Sequence, residues 1–265
     1  MAATPEGRAL TQAHRAAQLA VRAGALRDVQ QIWRVVDPTN LARTIGPFSE
    51  AGAAVVEAGN RRSAGVAARY VEQLRRVERI RGSLSIVGGG SLPREVAAVN
   101  LRASALRGIL NARRAGFSVD AAARNGFVRM SGAASSLVLG GGREVVAETG
   151  RSDRRAVGWL RVTGDDPCAW CASLAAEGPT RDPEVHAFHD HDGCTVEPVY
   201  DEGAFTDRGQ WPESSRRFRD LWDDVTGGAE FDAGGAREQF RKGLEATSTG
   251  RALPAPDPTI GIPEF

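Results

Sequence analysis

The sequence predicts a mainly α-helical protein, organised as an N-terminal helical bundle, a small zinc-stabilised α+β unit and C-terminal helices. Three observations lead to this fold class. Apolar residues recur at steps of three and four through the first 150 residues. The pattern changes to a two-residue alternation from Ala156 to Thr163, which is typical of a strand. All three cysteines and three of the four histidines lie between Pro167 and Pro198, at spacings that suit a bound metal ion.

The first two helices of the bundle are indicated by their apolar stripes. We expect one helix from Thr4 to Val36, ended by Asp37 and Pro38, and a longer one between Ser49 and Arg81. Small residues beside the stripes would let neighbouring helices approach closely. The expected inner positions are Leu19, Leu26, Val29, Trp33 and Val36 in the first helix, and Val56, Gly59, Ser63, Val66, Tyr70, Leu74 and Val77 in the second.

Two further helices are expected before residue 150. Gly82 to Leu92 contains three consecutive glycines and predicts a flexible loop at the end of the bundle. Pro93 then opens a third helix that ends near Gly116, and Ser118 or Asp120 begins a fourth that continues to about Thr149. The expected inner face of the third helix is formed by Val96, Val99, Ala103, Leu106 and Leu110.

The predicted domains are a helical domain at 1–150, a small α+β metal-binding unit at 151–205, C-terminal helices at 206–246 and a proline-rich tail at 247–265. In the α+β unit, the strand from Ala156 leads into a short helix from Pro167 to Glu177, and Thr195 to Tyr200 forms a second strand. The C-terminal helices are expected at Glu213 to Val225 and Ala233 to Ala246. Because the α+β unit is small and has little core, metal ligation would supply much of its stability.

Charge is distributed unevenly along the chain of 265 residues, whose net charge is only +1. Residues 1–161 carry 25 basic and 12 acidic side chains, a net charge of +13, and residues 162–265 carry a net charge of −12. Either these are ordinary solvated helix faces, or the two halves contact each other, or the first half contacts nucleic acid and the second half a protein partner. No apolar run approaches the roughly 20 residues of a membrane span, and no signal peptide is evident, so we expect no membrane association.

The cysteines and histidines predict a metal site. Cys168 and Cys171 form a C-x-x-C pair, whose two thiolates reach the same tetrahedral ion from one turn. Cys194 with His189, or with His191 as the alternative ligand, would complete the set. Thiolates and imidazole favour zinc over magnesium or calcium. Four protein ligands leave no position open for chemistry, so the predicted zinc is structural, and no catalytic residue is predicted.

Other interpretations of these residues remain. A disulfide from Cys194 to Cys168 or Cys171 would leave a third thiol unpaired, and an odd number of cysteines argues against it. A C-x-x-C redox pair would need a thioredoxin-like βαβ context, which the sequence does not show. His186, the remaining histidine of this stretch, is interpreted as a surface residue of an acidic loop.

The segments Gly158 to Pro179 and Phe188 to Tyr200 resemble the Mu F-like head morphogenesis domain of tailed bacteriophages, especially the versions in phages of actinobacteria. Asp192 stands where that family usually has the middle cysteine of its His-x-x-Cys-x-Cys closure, so His191 or Asp192 is a substitute fourth ligand. The resemblance covers roughly residues 155 to 205. The residues that fit the family pattern are Trp159, Asp165, Cys168, Cys171, Leu174, Gly178, His189 and Cys194.

The resemblance implies a minor capsid protein that acts in head morphogenesis and is associated with the portal or the inner capsid. The partners it implies are the portal protein, the major capsid protein or both, with packaged DNA contacted through the basic N-terminal half. The protein would reside in the phage head, and in the host cytoplasm during assembly. Its zinc would be structural.

Two enzymatic alternatives accompany this expectation. Related phage proteins are sometimes labelled capsid maturation proteases, and Ser173 with His186 or His189 can be drawn as a nucleophile and base, although no oxyanion-forming turn precedes Ser173. His189, Asp190 and His191 resemble the core of an HNH-type nuclease. After residue 191, however, the chain has no histidine or asparagine to complete that site.

Overall fold

The computed structural model describes residues 2–164, 167–181, 188 and 193–249, and within them it contains seven α-helices and one two-stranded sheet. The prediction of a mainly α-helical protein is confirmed. The described residues divide into a helical unit, residues 4–153 with Phe188, and a mixed unit, residues 2–3, 154–164, 167–181 and 193–249. Among the described helices, none combines the length and apolar character needed to cross a bilayer.

Four long helices build the helical unit. Thr4 caps the first by accepting a hydrogen bond from the Gly7 amide at 3.0 Å, and Ser118 caps the fourth by accepting one from the Ala121 amide at 3.3 Å. Both helix starts agree with the sequence prediction. The four helices are α1 (Pro5–Trp33), α2 (Leu41–Val77), α3 (Arg94–Arg114) and α4 (Val119–Ser152).

The second helix begins before the predicted Ser49 and continues through Pro47. A proline inside a helix removes one backbone hydrogen bond. Ile45 and Phe48 on the same turns are buried in the core, and this apolar burial offsets the lost bond. The core of the helical unit contains Val29, Ile45, Phe48, Val56, Leu101, Met130 and Val138.

The predicted inner face of α3 is wrong except at Leu106, which is half-buried and packs against the core. Val96, Val99 and Leu110 are exposed, and the buried face consists mainly of alanine and glycine, together with Leu101 and Ile109. A Cβ at Gly108 would lie 2.7 Å from the Cα of Gly126 in α4, so the two backbones nearly touch there. Such an approach requires small side chains at the point of contact, which the alanines and Gly108 supply. The buried positions of α3 are Ala97, Ala98, Leu101, Ala105, Gly108, Ile109 and Ala112.

A polar layer joins α1, α2 and α4 inside the unit. The Gln18 amide donates to the backbone carbonyl of Ser63 at 3.0 Å, and the Ser63 hydroxyl donates to Gln18 Oε1 at 2.6 Å. The same hydroxyl accepts a hydrogen bond from the Gly142 amide at 3.0 Å. These buried polar groups satisfy one another across three helices, so they specify how the helices align along their length.

His14 lies on the inner face of α1 next to this layer. Its ring stacks on Tyr70 with 4.1 Å between ring centroids, and neither ring nitrogen has a hydrogen-bond partner among the described residues. Burial disfavours the charged imidazolium and lowers the pKa of His14 to about 4. His14 is therefore neutral in the folded protein at neutral pH.

The glycine-rich loop between α2 and α3 is held against α4, which corrects the expectation of a flexible loop. The Val87 amide donates to the Thr149 hydroxyl at 3.0 Å. Gly89 has a φ of +86°, and a Cβ there would lie 2.1 Å from Val145 of α4. Glycine is therefore needed at this position for close contact with α4.

A buried ion pair closes the same end of the helical unit. Arg75 near the end of α2 pairs with Asp153, which follows α4, and both side chains are almost fully buried. Arg75 also donates to the carbonyls of Arg81 and Gly82, each at 3.1 Å. One guanidinium thus fixes the end of α2, the end of α4 and the start of the loop.

The mixed unit contains β1 (Gly158–Val162) and β2 (Thr195–Val199), which pair antiparallel with Gly158 opposite Val199 and Val162 opposite Thr195. Its helices are α5 (Ala169–Glu177), α6 (Glu213–Thr226) and α7 (Ala236–Ser248). These positions agree with the sequence prediction to within a few residues.

The three helices of the mixed unit share one apolar core, which joins the C-terminal helices to the cysteine-bearing helix. Trp222 is fully buried at its centre, with Phe231 stacked on it at 4.1 Å between centroids. The indole of Trp222 donates to the carbonyl of Ala229 at 2.8 Å, so its polar atom is satisfied as well. The buried members of this core are Ala172, Ala175, Ala176, Phe218, Trp222, Val225, Ala236 and Phe240.

Candidate metal centre

Cys168 occupies the N-cap position of α5, with φ −62° and ψ 154°, and its side chain is exposed. The preceding Pro167 fits the extended backbone that leads into the helix. Asp165 and Asp166, which precede Pro167, lie outside the described residues. Cys168 is thus at the start of α5, as the sequence predicted, on the segment that connects β1 to the helix.

Cys171 lies in the first turn of α5 and is completely buried. Arg161 of β1 is also buried, and its Nη1 atom lies 3.8 Å from the Cys171 sulfur. The C-x-x-C segment is therefore packed against the strand that precedes it, with a guanidinium donor directed at one thiol.

Cys194 immediately precedes β2 and is buried. Because Thr195 pairs with Val162 at the last position of β1, Cys194 lies at the end of the sheet from which the chain continues toward Cys168. Cys168 follows the last residue of β1 by six positions, and Cys194 directly precedes the first residue of β2. No disulfide joins any of the three cysteines.

The imidazole ligands cannot be placed in the same way. His189 and its alternative His191 lie outside the described residues, as do His186, Asp190 and Asp192. Within the described ranges, no three Cys, His, Asp or Glu side chains converge as a metal-binding group. Phe188, just before His189, is described, and the guanidinium of Arg143 in α4 lies 3.6 Å from its ring centroid.

Ser173, the nucleophile of the protease alternative, is buried in α5. Its hydroxyl donates to the Trp170 carbonyl at 2.8 Å and accepts a hydrogen bond from Arg237 at 3.1 Å. Arg237 also pairs with Glu177 at 2.9 Å and lies 4.5 Å from the Trp170 ring centroid. In this arrangement Ser173 serves the contact between α5 and α7, and its oxygen does not face solvent.

Two arginines of this unit were not predicted from the sequence. Arg161 carried a signal, because it stands in an otherwise apolar strand shortly before the C-x-x-C pair. Arg237 carried none, since its spacing in α7 resembles that of a surface residue. Both act as buried or half-buried donors that position α5.

The chain matches the model of a known protein family. The family model described as VG15 protein matches residues 6–220, which include the whole helical bundle, both strands and the first part of α6. No curated protein and no solved structure matches the chain.

Proposed function

The chain belongs to the VG15 protein family, a phage-associated family, and on that premise we propose that it is a minor capsid protein acting in head morphogenesis of a tailed bacteriophage. The family match supports the phage association, because it extends over most of the chain and includes residues of both units. The resemblance of Gly158 to Pro179 and Phe188 to Tyr200 to the Mu F-like domain supports the more specific assignment to the head.

The proposed metal is a structural zinc ion held by Cys168, Cys171, His189 and Cys194, with His191 as the alternative imidazole ligand. The donor chemistry suits tetrahedral zinc. The place of Cys194 directly before β2, whose first residue pairs with the last residue of β1, is compatible with the site, and Arg161 would donate a hydrogen bond to a metal-bound Cys171 thiolate. Bound zinc would cross-link α5 to the start of β2.

The proposed partners are the portal protein, the major capsid protein or both, in the phage head. The helical unit adds a contact to packaged DNA, because its sequence is strongly basic and many of its arginines lie at the surface. Arginine contacts with phosphates would give salt-dependent affinity without sequence preference.

Quantitative mass spectrometry of purified particles from the source phage tests the head assignment. We expect the chain at a few copies per particle, with intact terminal peptides. Absence from mature particles, together with truncated capsid proteins, would contradict the structural role and favour the maturation protease.

Metal analysis of the purified protein tests the zinc site. We expect about one zinc per chain. Zinc should be lost in Cys171→Ser and Cys194→Ser, together with the fold of residues 155–205, while the helical unit keeps its circular dichroism signal. Ser173→Ala is the matched control, because it alters a buried residue of the same helix that is not a proposed ligand. Parallel His189→Ala and His191→Ala variants identify the imidazole ligand. Full zinc retention in Cys171→Ser would refute the site.

A further inference from the structure

The outward face of α3 carries an apolar stripe of which the bundle covers only Leu106, which is half-buried against the core. Val96, Val99, Ala103, Leu106 and Leu110 follow each other at steps of three, four, three and four, and we call them the outer stripe. The side chains of Val96, Val99 and Leu110 are 45%, 65% and 43% exposed. The outer stripe lies opposite the small residues that pack α3 into the bundle, so α3 is apolar on two faces.

The spacing is that of alternating a and d positions of a coiled-coil heptad, with Val96 at a. Over 14 residues at 1.5 Å per residue the stripe is about 21 Å long, enough to hold two heptads of a second helix. Apolar residues at these positions are energetically useful only when another helix covers them.

The residues that flank the stripe indicate the chemistry of this second helix. The e and g positions include Arg102, Arg107 and Arg114, all exposed, against a single acidic residue, Glu95. Within the described part of the chain, none of these three arginines forms an ion pair. A second copy of α3 would place arginines opposite arginines, which disfavours self-association.

We propose that the outer stripe of α3 is a docking site for an amphipathic helix of a partner protein that carries acidic residues beside its apolar seam. The apolar residues supply the buried contact, and the arginines select partners by charge and accelerate encounter. A bilayer surface fits less well, because the stripe lacks the tryptophan or phenylalanine side chains that anchor interfacial helices.

Fluorescence anisotropy with the full-length protein tests this site. The probe is a labelled 21-residue peptide with leucine at a and d, glutamate at e and g and alanine elsewhere. Its control carries lysine at e and g. We expect saturable binding of the glutamate peptide, on the order of tenfold weaker after Val99→Gln with Leu110→Gln. Val128→Gln, at an exposed valine of α4 outside the stripe, should leave binding unchanged.

Charge reversal separates recognition from simple hydrophobic adhesion. Arg107→Glu with Arg114→Glu should weaken the glutamate peptide on the order of tenfold and create binding of the lysine peptide. Equal binding of both peptides to the unaltered protein, or binding of neither, would overturn the proposal. If the protein dimerised and Val99→Gln abolished the dimer, the stripe would be assigned to a second copy of the chain. If the stripe were needed for binding to phosphatidylserine vesicles, it would be assigned to a membrane. Either result would overturn the proposal.

Discussion

Adding one methyl group at Gly108 tests whether the contact between α3 and α4 depends on backbone approach. In Gly108→Ala the new Cβ would lie 2.7 Å from Gly126 Cα and 2.8 Å from the Asn125 carbonyl oxygen. Both are backbone atoms of α4, so the helices must separate. Overpacking of this kind costs about 1–3 kcal/mol, against a gain of about 0.5–1 kcal/mol from the better helix propensity of alanine. We expect a net loss of about 1–2 kcal/mol in the free energy of unfolding.

Gly24→Ala in α1 is the matched control, because a Cβ there meets only the end of the Arg27 side chain at 3.8 Å. It should gain about 0.5–1 kcal/mol from helix propensity alone. Urea unfolding followed by circular dichroism at 222 nm measures both variants. The assignment of close backbone packing would be refuted if Gly108→Ala were as stable as the unaltered protein. It would also be refuted if both variants lost the same free energy of unfolding.

Three further substitutions test buried groups. Because the pKa of His14 falls from 6.5 unfolded to about 4 folded, stability from this residue is complete above pH 6.5 and is lost as pH falls toward 4, by about 3 kcal/mol in total. His14→Phe should remove this part of the pH dependence in urea titrations between pH 7 and 4; an unchanged profile would mean that His14 titrates normally. Asp153→Asn leaves the Arg75 charge buried and should cost about 3–5 kcal/mol, whereas Glu148→Gln at an exposed pair should cost less than about 1 kcal/mol. Similar losses of stability in Asp153→Asn and Glu148→Gln would argue against the buried ion pair. Arg237→Met should destabilise the mixed unit by about 1–2 kcal/mol, measured by tryptophan fluorescence, because it loses its bonds to α5; an unchanged midpoint would exclude that role.

The helix and strand positions could be predicted because local chemistry sets them. Thr4 and Ser118 are capping residues, and the alternation before Thr163 is a strand pattern that no helix would use. The inner face of α3 could not be predicted, because large apolar residues were assumed to point inward. The distance between two helices at Gly108 and Gly126 depends on a pairing that neither segment reveals alone.

Part of the candidate metal centre could likewise be predicted from the sequence, and part could not. The helix from Pro167 and the strand from Thr195 were predicted to within two residues, so Cys168 and Cys171 lie at the start of a helix and Cys194 directly precedes a strand. The contact of Arg161 with Cys171 depends on strand register, which the sequence does not encode locally. The fourth ligand stays a prediction, as His189 and His191 lie outside the described residues.

The polar inner face of α1 has a consequence for synthesis of the chain. Ribosomes deliver α1 first, yet its neighbour α4 is complete only at Ser152, and the Ser63 contact with Gly142 spans 79 residues. During this interval the first half of α1 presents Thr11, His14 and Gln18 on the face that will later be buried. Because these side chains are well solvated in water, the nascent helix offers little adhesive surface to other chains until its partner emerges.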